Sequence, residues 1–391
     1  MSLPILRPTE PGHPAGADAV IALGVVVSIV WLGVSGVDAH LPYIVPAALY
    51  VGAGTLAATL GAHPSSGILA VGQDVGALAW SAAIANVIRT PEAFVIVTRA
   101  WVYGATAWAV ALVLAMLARR GGLGGPDPLP GFSSLGDPSV IGNVLALSFF
   151  VSLVGPSPRS SLARLAVGAT LLIGVAVSGS HAAIWAVVVG GVATGFVSIW
   201  RRHDLMAAIG SLGIGLVLLA CALVAVGIAH RLESGVAVPS IDRPATIAVT
   251  QRPLFFRAFG PYLDGTPVGI GPGGIRADGS APQGGDPGGT YLVTLVERGP
   301  VGVAGLIVLV IGLLIRAHML ALRGLSSAFQ HLVREPSALL GGVVVIWILA
   351  GTHEVLYDPV VWAFFGLVGG LYLVGPNGAQ AARPGTRSAV D

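Results

Sequence analysis

The residues best suited to chemistry lie in one polar, glycine-rich segment, Arg252 to Gly302, of an otherwise apolar chain. The segment carries arginines and carboxylates between long apolar runs, although a chain needs no such segment merely to remain in a bilayer. Long connections without regular structure of their own are usually functional. We therefore expect a catalytic or binding site in this segment, at one face of a membrane.

Arginines are the candidate ligand-binding residues of this segment. A guanidinium group binds two oxygens at once and remains charged, which suits a diphosphate. Arg252 and Arg257 lie in the amphipathic stretch RPLFFRAFGPYL, whose aromatic side chains would rest on the membrane while the arginines face a headgroup. Arg276 follows in the same loop and is a third candidate. The alternative is that these arginines are solvated charges in weak local ion pairs.

The glycine-rich run TPVGIGPGGIRADG is a candidate anion site. Closely spaced glycines allow backbone N–H groups to approach an anion, and Gly271 and Gly273 are the predicted contacts. The run is not a P-loop, because no Gly-Lys-Ser/Thr follows and no strand and helix flank it. A flexible turn is the alternative interpretation.

Three side chains are candidate acid–base groups: Glu297, His353 and His181. Imidazole titrates near neutral pH, so either histidine could act as a base or hold a phosphate. Glu297 could take a proton from a hydroxyl group, or it could pair with Arg298 or cap the next helix. His181 could instead be an interfacial hydrogen-bonding residue, and His353 could be a helix cap or part of an ion pair.

A zinc protease site is excluded near His353. The sequence His353-Glu354 does not continue as HExxH, because Leu356 and Tyr357 stand where the second histidine should be. The sole cysteine, Cys221, lies in an apolar run and has no partner for a disulfide or a metal site. These residues therefore predict no metal site.

Composition defines the elements that must position these residues. Hydrophobic residues make up 54% of the chain and charged residues 10%, whereas soluble domains carry about 25% charged residues. The apolar runs have the length that crosses a hydrocarbon core of about 30 Å. The net charge of +2 gives no indication of nucleic-acid binding. The sequence therefore predicts an all-α protein, a polytopic bundle of transmembrane helices in a lipid bilayer.

We predict about eleven spans (10–12). They lie near residues 18–36, 41–61, 67–89, 93–118, 138–155, 162–179, 182–200, 205–229, 300–317, 338–352 and 357–375. The predicted organisation is a polar tail (1–17), about eight helices (18–229), an extracytoplasmic loop (230–299), three last helices (300–375) and a disordered cytoplasmic tail (376–391).

Arginines near the span ends predict the orientation of the bundle. They mark alternate turns as cytoplasmic: Arg159, Arg164, Arg201, Arg202, Arg316, Arg323, Arg334, Arg383 and Arg387. The Ser180–His181 turn, the loop 230–299 and the His353–Asp358 turn are then left on the outer side, as is the N-terminus. Because these three segments meet at one face, they can form one site.

Four segments in order resemble the O-antigen ligase / O-antigen polymerase family of bacterial envelope glycosyltransferases, over about residues 130 to 375. They are GFSSLGDPSVIGNVLALSFF, VSGSHAAIWAVVVG, RPLFFRAFGPYLDGTPVGIGPGGI and TYLVTLVERGPVGVAGLIVLVIGLL. The third is similar to the family's arginine followed by Pro-x-Gly-x-Gly-Pro-Gly. The fourth is similar to its Tyr-Leu…Glu-x-Gly-x-x-Gly motif. These two together form the more specific part of the resemblance.

The resemblance implies transfer of an oligosaccharide from a polyprenyl diphosphate carrier to a hydroxyl of a glycan or glycolipid acceptor. The implied place is the outer face of the cytoplasmic (inner) membrane, and no cofactor, metal or nucleotide sugar is implied. Family arginines hold the donor diphosphate, and Arg252 matches the loop arginine. His181 occupies the place of the arginine in the family's Ser-Arg motif.

One departure from the ligases favours polymerase-like transfer. The family register puts Gly288 and Gly289 where a ligase has its His-Asn pair, so Glu297 or His353 would have to act as the base. Two other classes stay open. A transporter or lipid-linked glycan flippase would show broken helices and a polar site near the bilayer midplane. A non-catalytic membrane partner of a glycan assembly complex is the other.

Overall fold

The computed structural model describes residues 16–35, 38–120, 138–213, 268–277, 289–323 and 325–375. Within these ranges the structure is helical and contains no strand, which confirms the all-α prediction. Twelve helices of the described chain are named here in order. They are α1 (Gly16–Ser35), α2 (Ile44–Leu60), α3 (Pro64–Val87), α4 (Pro91–Arg120), α5 (Pro138–Val154), α6 (Ser161–Val177), α7 (His181–Arg202), α8 (Gly274–Ala277), α9 (Thr290–Arg323), α10 (Ser327–Gln330), α11 (Ser337–Ala350) and α12 (Pro359–Leu373).

Four described helices are long and apolar enough to cross a membrane: α3, α4, α7 and α9. Shorter apolar helices, of which α11 and α12 are the last two, accompany them. These helices support a multi-pass membrane protein, while the number of eleven spans stays a prediction. The predicted span 205–229 is helical over 205–213, and the rest of it lies outside the described residues. The predicted tails 1–17 and 376–391 lie almost wholly outside them too.

Short polar residues and prolines define where several helices begin. Ser160 and Ser180 each accept a hydrogen bond from the backbone N–H three residues on, and so cap α6 and α7. Asp358 accepts from Val360 N (2.9 Å) and caps α12. Such oxygens satisfy N–H groups that the first helical turn leaves without partners.

The cap of α12 allows the contribution of helix capping to stability to be tested. We expect Asp358→Ala to lower the free energy of unfolding by about 1–2 kcal/mol, because the buried N–H of Val360 loses its acceptor. Asp358→Asn keeps an oxygen at the same place and is the matched control. Thermal unfolding in detergent should rank wild type and Asp358→Asn above Asp358→Ala. Equal midpoints for all three proteins would contradict the capping role.

Small residues let the helices of the bundle approach closely, as in many membrane proteins. Gly190 of α7 faces Gly341 of α11: a Cβ atom built at Gly190 would lie 2.7 Å from the Gly341 carbonyl oxygen. Gly366 and Gly370 of α12 face backbone carbonyls of α3 in the same way. The core between these helices is fully buried and aromatic, and includes Trp362, Phe364, Phe365 and Phe150.

Helices α7 and α11 run antiparallel, which defines the two ends of the bundle. At one end, Arg202 Nη2 of α7 lies 2.7 Å from Glu335 Oε2, just before α11 begins. At the other end, which we call the site end, α11 finishes beside the start of α9: the backbone N–H of Thr290 donates to the carbonyl of His353 (3.1 Å). Because the first residue of α7 is His181, that histidine also lies at the site end.

Helix α9 begins at Thr290, ten residues before the predicted boundary at 300. Gly299 interrupts it with non-helical dihedral angles (φ 65°, ψ −172°), and Pro300 follows. Proline lacks the N–H needed inside a helix but suits its first turn, so the helix restarts at Pro300. The predicted boundary therefore marks a break inside the helix, and the last part of the predicted loop is itself helical.

Candidate functional site

The glycine-rich loop docks on the break in α9. Ile270 N donates to the carbonyl of Val296 and Gly271 N to that of Glu297, both at 3.0 Å. In an unbroken helix the Val296 carbonyl would accept from residue 300, but that residue is Pro300, which has no N–H. The loop therefore supplies donors that the break removes, as buried carbonyls require.

Glycine is needed in this loop for two reasons. Gly269, Gly271 and Gly273 have φ values of 92°, 98° and 75°, a region that residues with a Cβ rarely adopt. At Gly269 there is also no room, because a Cβ atom would lie 2.6 Å from the carbonyl carbon of Glu297. At Gly271 the nearest atom would be the Ala57 carbonyl oxygen at 3.3 Å. The predicted ligand-binding glycines are thus part of a fixed structure, and the Gly271 N–H is engaged with the protein.

Among the described residues, the largest concentration of buried charge lies next to this loop. Arg298 of α9 and Asp74 of α3 are 1% exposed, and Arg298 Nη1 lies 2.7 Å from Asp74 Oδ2. Arg298 Nη2 donates to the hydroxyl oxygen of Tyr357 (3.0 Å). The guanidinium carbon lies 4.1 Å from the ring centroid of Tyr50, within the range of a cation–π interaction. Four segments of the chain therefore meet at one guanidinium group.

Two glycines make room for this guanidinium group. A Cβ atom at Gly54 would collide with Nη1 of Arg298, and one at Gly302 would collide with Cβ of Arg298 itself. Helix α2 can therefore lie directly against the arginine. Among the described residues, Asp74 Oδ1 and Arg298 Nε have no hydrogen-bond partner although both are buried. The site thus retains unused hydrogen-bonding capacity beside the ion pair.

The ion pair lies deep within the helices. Asp74 stands ten residues after the first residue of α3, which places it about 15 Å along the helix at 1.5 Å per residue. Ionisable residues within membrane spans are costly and are functional candidates by default. From the sequence, Asp74 is a polar residue that interrupts an apolar span, and Arg298 is one of several loop arginines and a possible partner of Glu297. A lone carboxylate in an apolar run was the signal for a buried partner elsewhere.

Glu297 lies beside both features. It is 2% exposed, its carbonyl accepts from the docked loop, and the next residue is the buried arginine. It therefore stands where the break, the loop and the ion pair meet. Of the three candidate bases, it is the most deeply buried.

Thr290 ties the His353 segment to the start of α9. Its hydroxyl donates to the His353 carbonyl oxygen (2.9 Å) and accepts from Val355 N (3.0 Å). The half-buried His353 and the exposed His181 thus share the site end of the bundle. This arrangement brings the Ser180–His181 turn and the His353–Asp358 turn to the end where the loop docks.

The candidate arginines of the loop are not all within the described residues. Arg252 and Arg257 lie outside them, and for Arg276 only the backbone, in α8, is described. Gly271 and Gly273 are described and buried. No group of three or more residues suited to hold a metal ion occurs in the described part of the chain. Binding of a diphosphate by these arginines therefore remains a prediction.

No protein-family model matches this chain, and no curated protein matches it at a significant level.

Proposed function

We propose that the protein is a glycan transferase of the O-antigen polymerase/ligase type. It moves an oligosaccharide from a polyprenyl diphosphate carrier to a sugar hydroxyl at the outer face of the cytoplasmic membrane. The observation that carries the proposal is the docking of the GIGPGG loop on the α9 break, through the hydrogen bonds of Ile270 and Gly271 to Val296 and Glu297. It joins the two segments in which the resemblance is most specific.

The proposed chemistry is simple because the donor already carries a good leaving group. The protein must hold the diphosphate, orient an acceptor hydroxyl and remove its proton. In the proposal, Arg252 and Arg257, with Arg276, hold the diphosphate. Glu297 is the first candidate for the base, with His353 and His181 at the same end of the bundle. The hydroxyl oxygen attacks the anomeric carbon, and the bond from that carbon to the diphosphate oxygen breaks.

The broken helix and the deep ion pair favour a second candidate function. Transporters carry discontinuous helices around a polar site near the midplane of the bilayer. The Gly299–Pro300 break of α9 and the buried Asp74–Arg298 pair have this character. A flippase for a lipid-linked glycan would accept the same lipid as the proposed transferase. The two functions differ in whether the bond between the sugar and the diphosphate is cleaved.

Purified protein tests both proposals with one donor, a polyprenyl-diphosphate oligosaccharide: transfer is measured in nanodiscs and flipping in liposomes. We expect wild type to release polyprenyl diphosphate and to lengthen the glycan, both measured by mass spectrometry. Arg252→Ala should lower kcat/KM by about 10- to 100-fold, because hydrogen bonds to charged groups contribute about 1.5–3 kcal/mol. Arg252→Lys should recover little, because lysine lacks the two-pronged fork.

Arg243→Ala is the matched control, since Arg243 belongs to the same loop but lies outside the amphipathic stretch. Equal losses in the Arg243 and Arg252 variants would contradict a specific role for Arg252. If wild type releases no polyprenyl diphosphate with any sugar acceptor but flips the donor across liposome membranes, the transferase proposal is wrong and the flippase stands.

A further inference from the structure

We propose that the buried ion pair of Arg298 and Asp74 is a positioning device that sets where Glu297 and the GIGPGG loop stand. The structural part of this inference is independent of the reaction. Its kinetic consequence rests on the proposed function.

Three contacts hold the end of the Arg298 side chain. Asp74 holds one terminal nitrogen, the Tyr357 hydroxyl holds the other, and the ring of Tyr50 covers the guanidinium plane. These three partners come from α3, from the turn before α12 and from α2. A side chain fixed by three separate elements fixes the backbone on which it is carried.

That backbone is the docking platform of the loop. The carbonyls that accept from Ile270 and Gly271 belong to Val296 and Glu297, the two residues immediately before Arg298. The backbone of Gly269 rests against the carbonyl of Glu297 with no room for a methyl group. A shift of Arg298 therefore moves both acceptors and must displace the loop.

Two neighbouring glycines leave room for the Arg298 side chain of this ion pair. A Cβ atom at Gly54 or at Gly302 would collide with Arg298, so both glycines leave the space that its side chain occupies. A buried ion pair contributes little net stability compared with well-packed apolar residues, since desolvation offsets the attraction between the charges. The pair instead fixes the position and orientation of the Arg298 side chain, because charged hydrogen-bonding partners define a geometry that apolar contacts do not.

The expected consequence falls on the chemical step. If Glu297 removes the acceptor proton, a displacement of about 1 Å is enough to cost about 100-fold in rate. In the proposed function, donor binding depends on the loop arginines Arg252, Arg257 and Arg276 and not on the ion pair. Loss of the pair should therefore lower kcat by about 10- to 100-fold and change KM for the donor by less than about threefold.

The test uses the double variant Asp74→Asn/Arg298→Met, which removes the pair without leaving a buried charge alone. Hydrogen–deuterium exchange of the Ile270 and Gly271 amides reports loop docking directly, because both amides donate to the platform. We expect their exchange to be at least about tenfold faster than in wild type. Arg316→Met is the matched control. Arg316 lies about five turns further along the same helix, also stacked on a tyrosine, Tyr43 (4.4 Å).

The Arg316 variant should leave exchange at Ile270 and Gly271 unchanged. Unchanged exchange in the double variant overturns the inference, whatever the activity of the protein. Equal acceleration in both variants overturns it too, because the loop would then report general loosening of the bundle. If wild type turns over no donor, the exchange result still decides the positioning role, and only the proposed function fails.

Discussion

Replacing Asp74 by asparagine is expected to lower the free energy of unfolding by about 3–5 kcal/mol, the largest effect of any single substitution considered for this protein. The substitution leaves Arg298 buried without its counter-charge. Arginine cannot lose its proton in a protein, so the uncompensated charge stays inside the bundle. Thermal unfolding of the purified protein in detergent should show a large fall in the midpoint.

The opposite substitution, Arg298→Met, should cost less. The carboxyl group of Asp74 can take up a proton and become neutral, whereas the guanidinium group cannot. Methionine also fills much of the space of the arginine stem. The double variant Asp74→Asn/Arg298→Met should be more stable than Asp74→Asn alone, because it removes both charges together.

The order of the three unfolding midpoints decides whether charge governs this site. We expect Asp74→Asn to unfold first, and both Arg298→Met and the double variant to be closer to wild type. If Asp74→Asn unfolds at the temperature of wild type, Asp74 is not the buried counter-charge of Arg298. If Arg298→Met is the more damaging single change, packing rather than charge governs this site.

Gly269→Ala is expected to undock the glycine-rich loop, the second large effect. The new Cβ atom would lie 2.6 Å from backbone atoms of Glu297, and backbone cannot move aside as the end of a side chain can. Gly269 also has a φ of 92°, at which a side chain is strained by about 1–2 kcal/mol. Because both costs add at one position, the hydrogen bonds of Ile270 and Gly271 should be lost.

Gly271→Ala is the matched comparison. Its φ of 98° carries the same strain, but its Cβ atom would meet its nearest neighbour, the Ala57 carbonyl oxygen, at 3.3 Å. We expect about 1–2 kcal/mol of destabilisation and a loop that stays docked. Amide exchange of the loop separates the two variants: it should rise strongly for Gly269→Ala and little for Gly271→Ala. Equal exchange in the two would mean that the close approach to Glu297 does not govern docking.

Much of the fold is predictable from the chain alone, because a bilayer requires long apolar helices and the sequence must encode them. The runs that become α3, α4, α7 and α9 are recognisable by length and composition. The predicted span that begins at residue 300 coincides with the break that the structure shows at Gly299. Only its meaning changed, from the start of a helix to a restart within one.

The glycine-rich loop was also recognisable, because its glycines are too closely spaced for a helix. The interpretation of Gly271 and Gly273 as anion ligands remains a prediction for a bound state. The structure adds that the backbone N–H of Gly271 donates to Glu297. Local sequence cannot show this, since the Glu297 carbonyl accepts from the loop at the place where another segment, α9, breaks at Gly299.

Residue types and local spacing therefore determine that this chain forms apolar helices, where they break and where its polar loop lies, because these depend on neighbours along the chain. The partner of Asp74, the burial of Arg298 and the docking of the loop on Val296 and Glu297 were decided by tertiary structure alone. The reason is physical. A buried charge or carbonyl pairs with the polar group that folding brings close to it. Here α2, α3, α9 and the turn before α12 contact one another only after they pack.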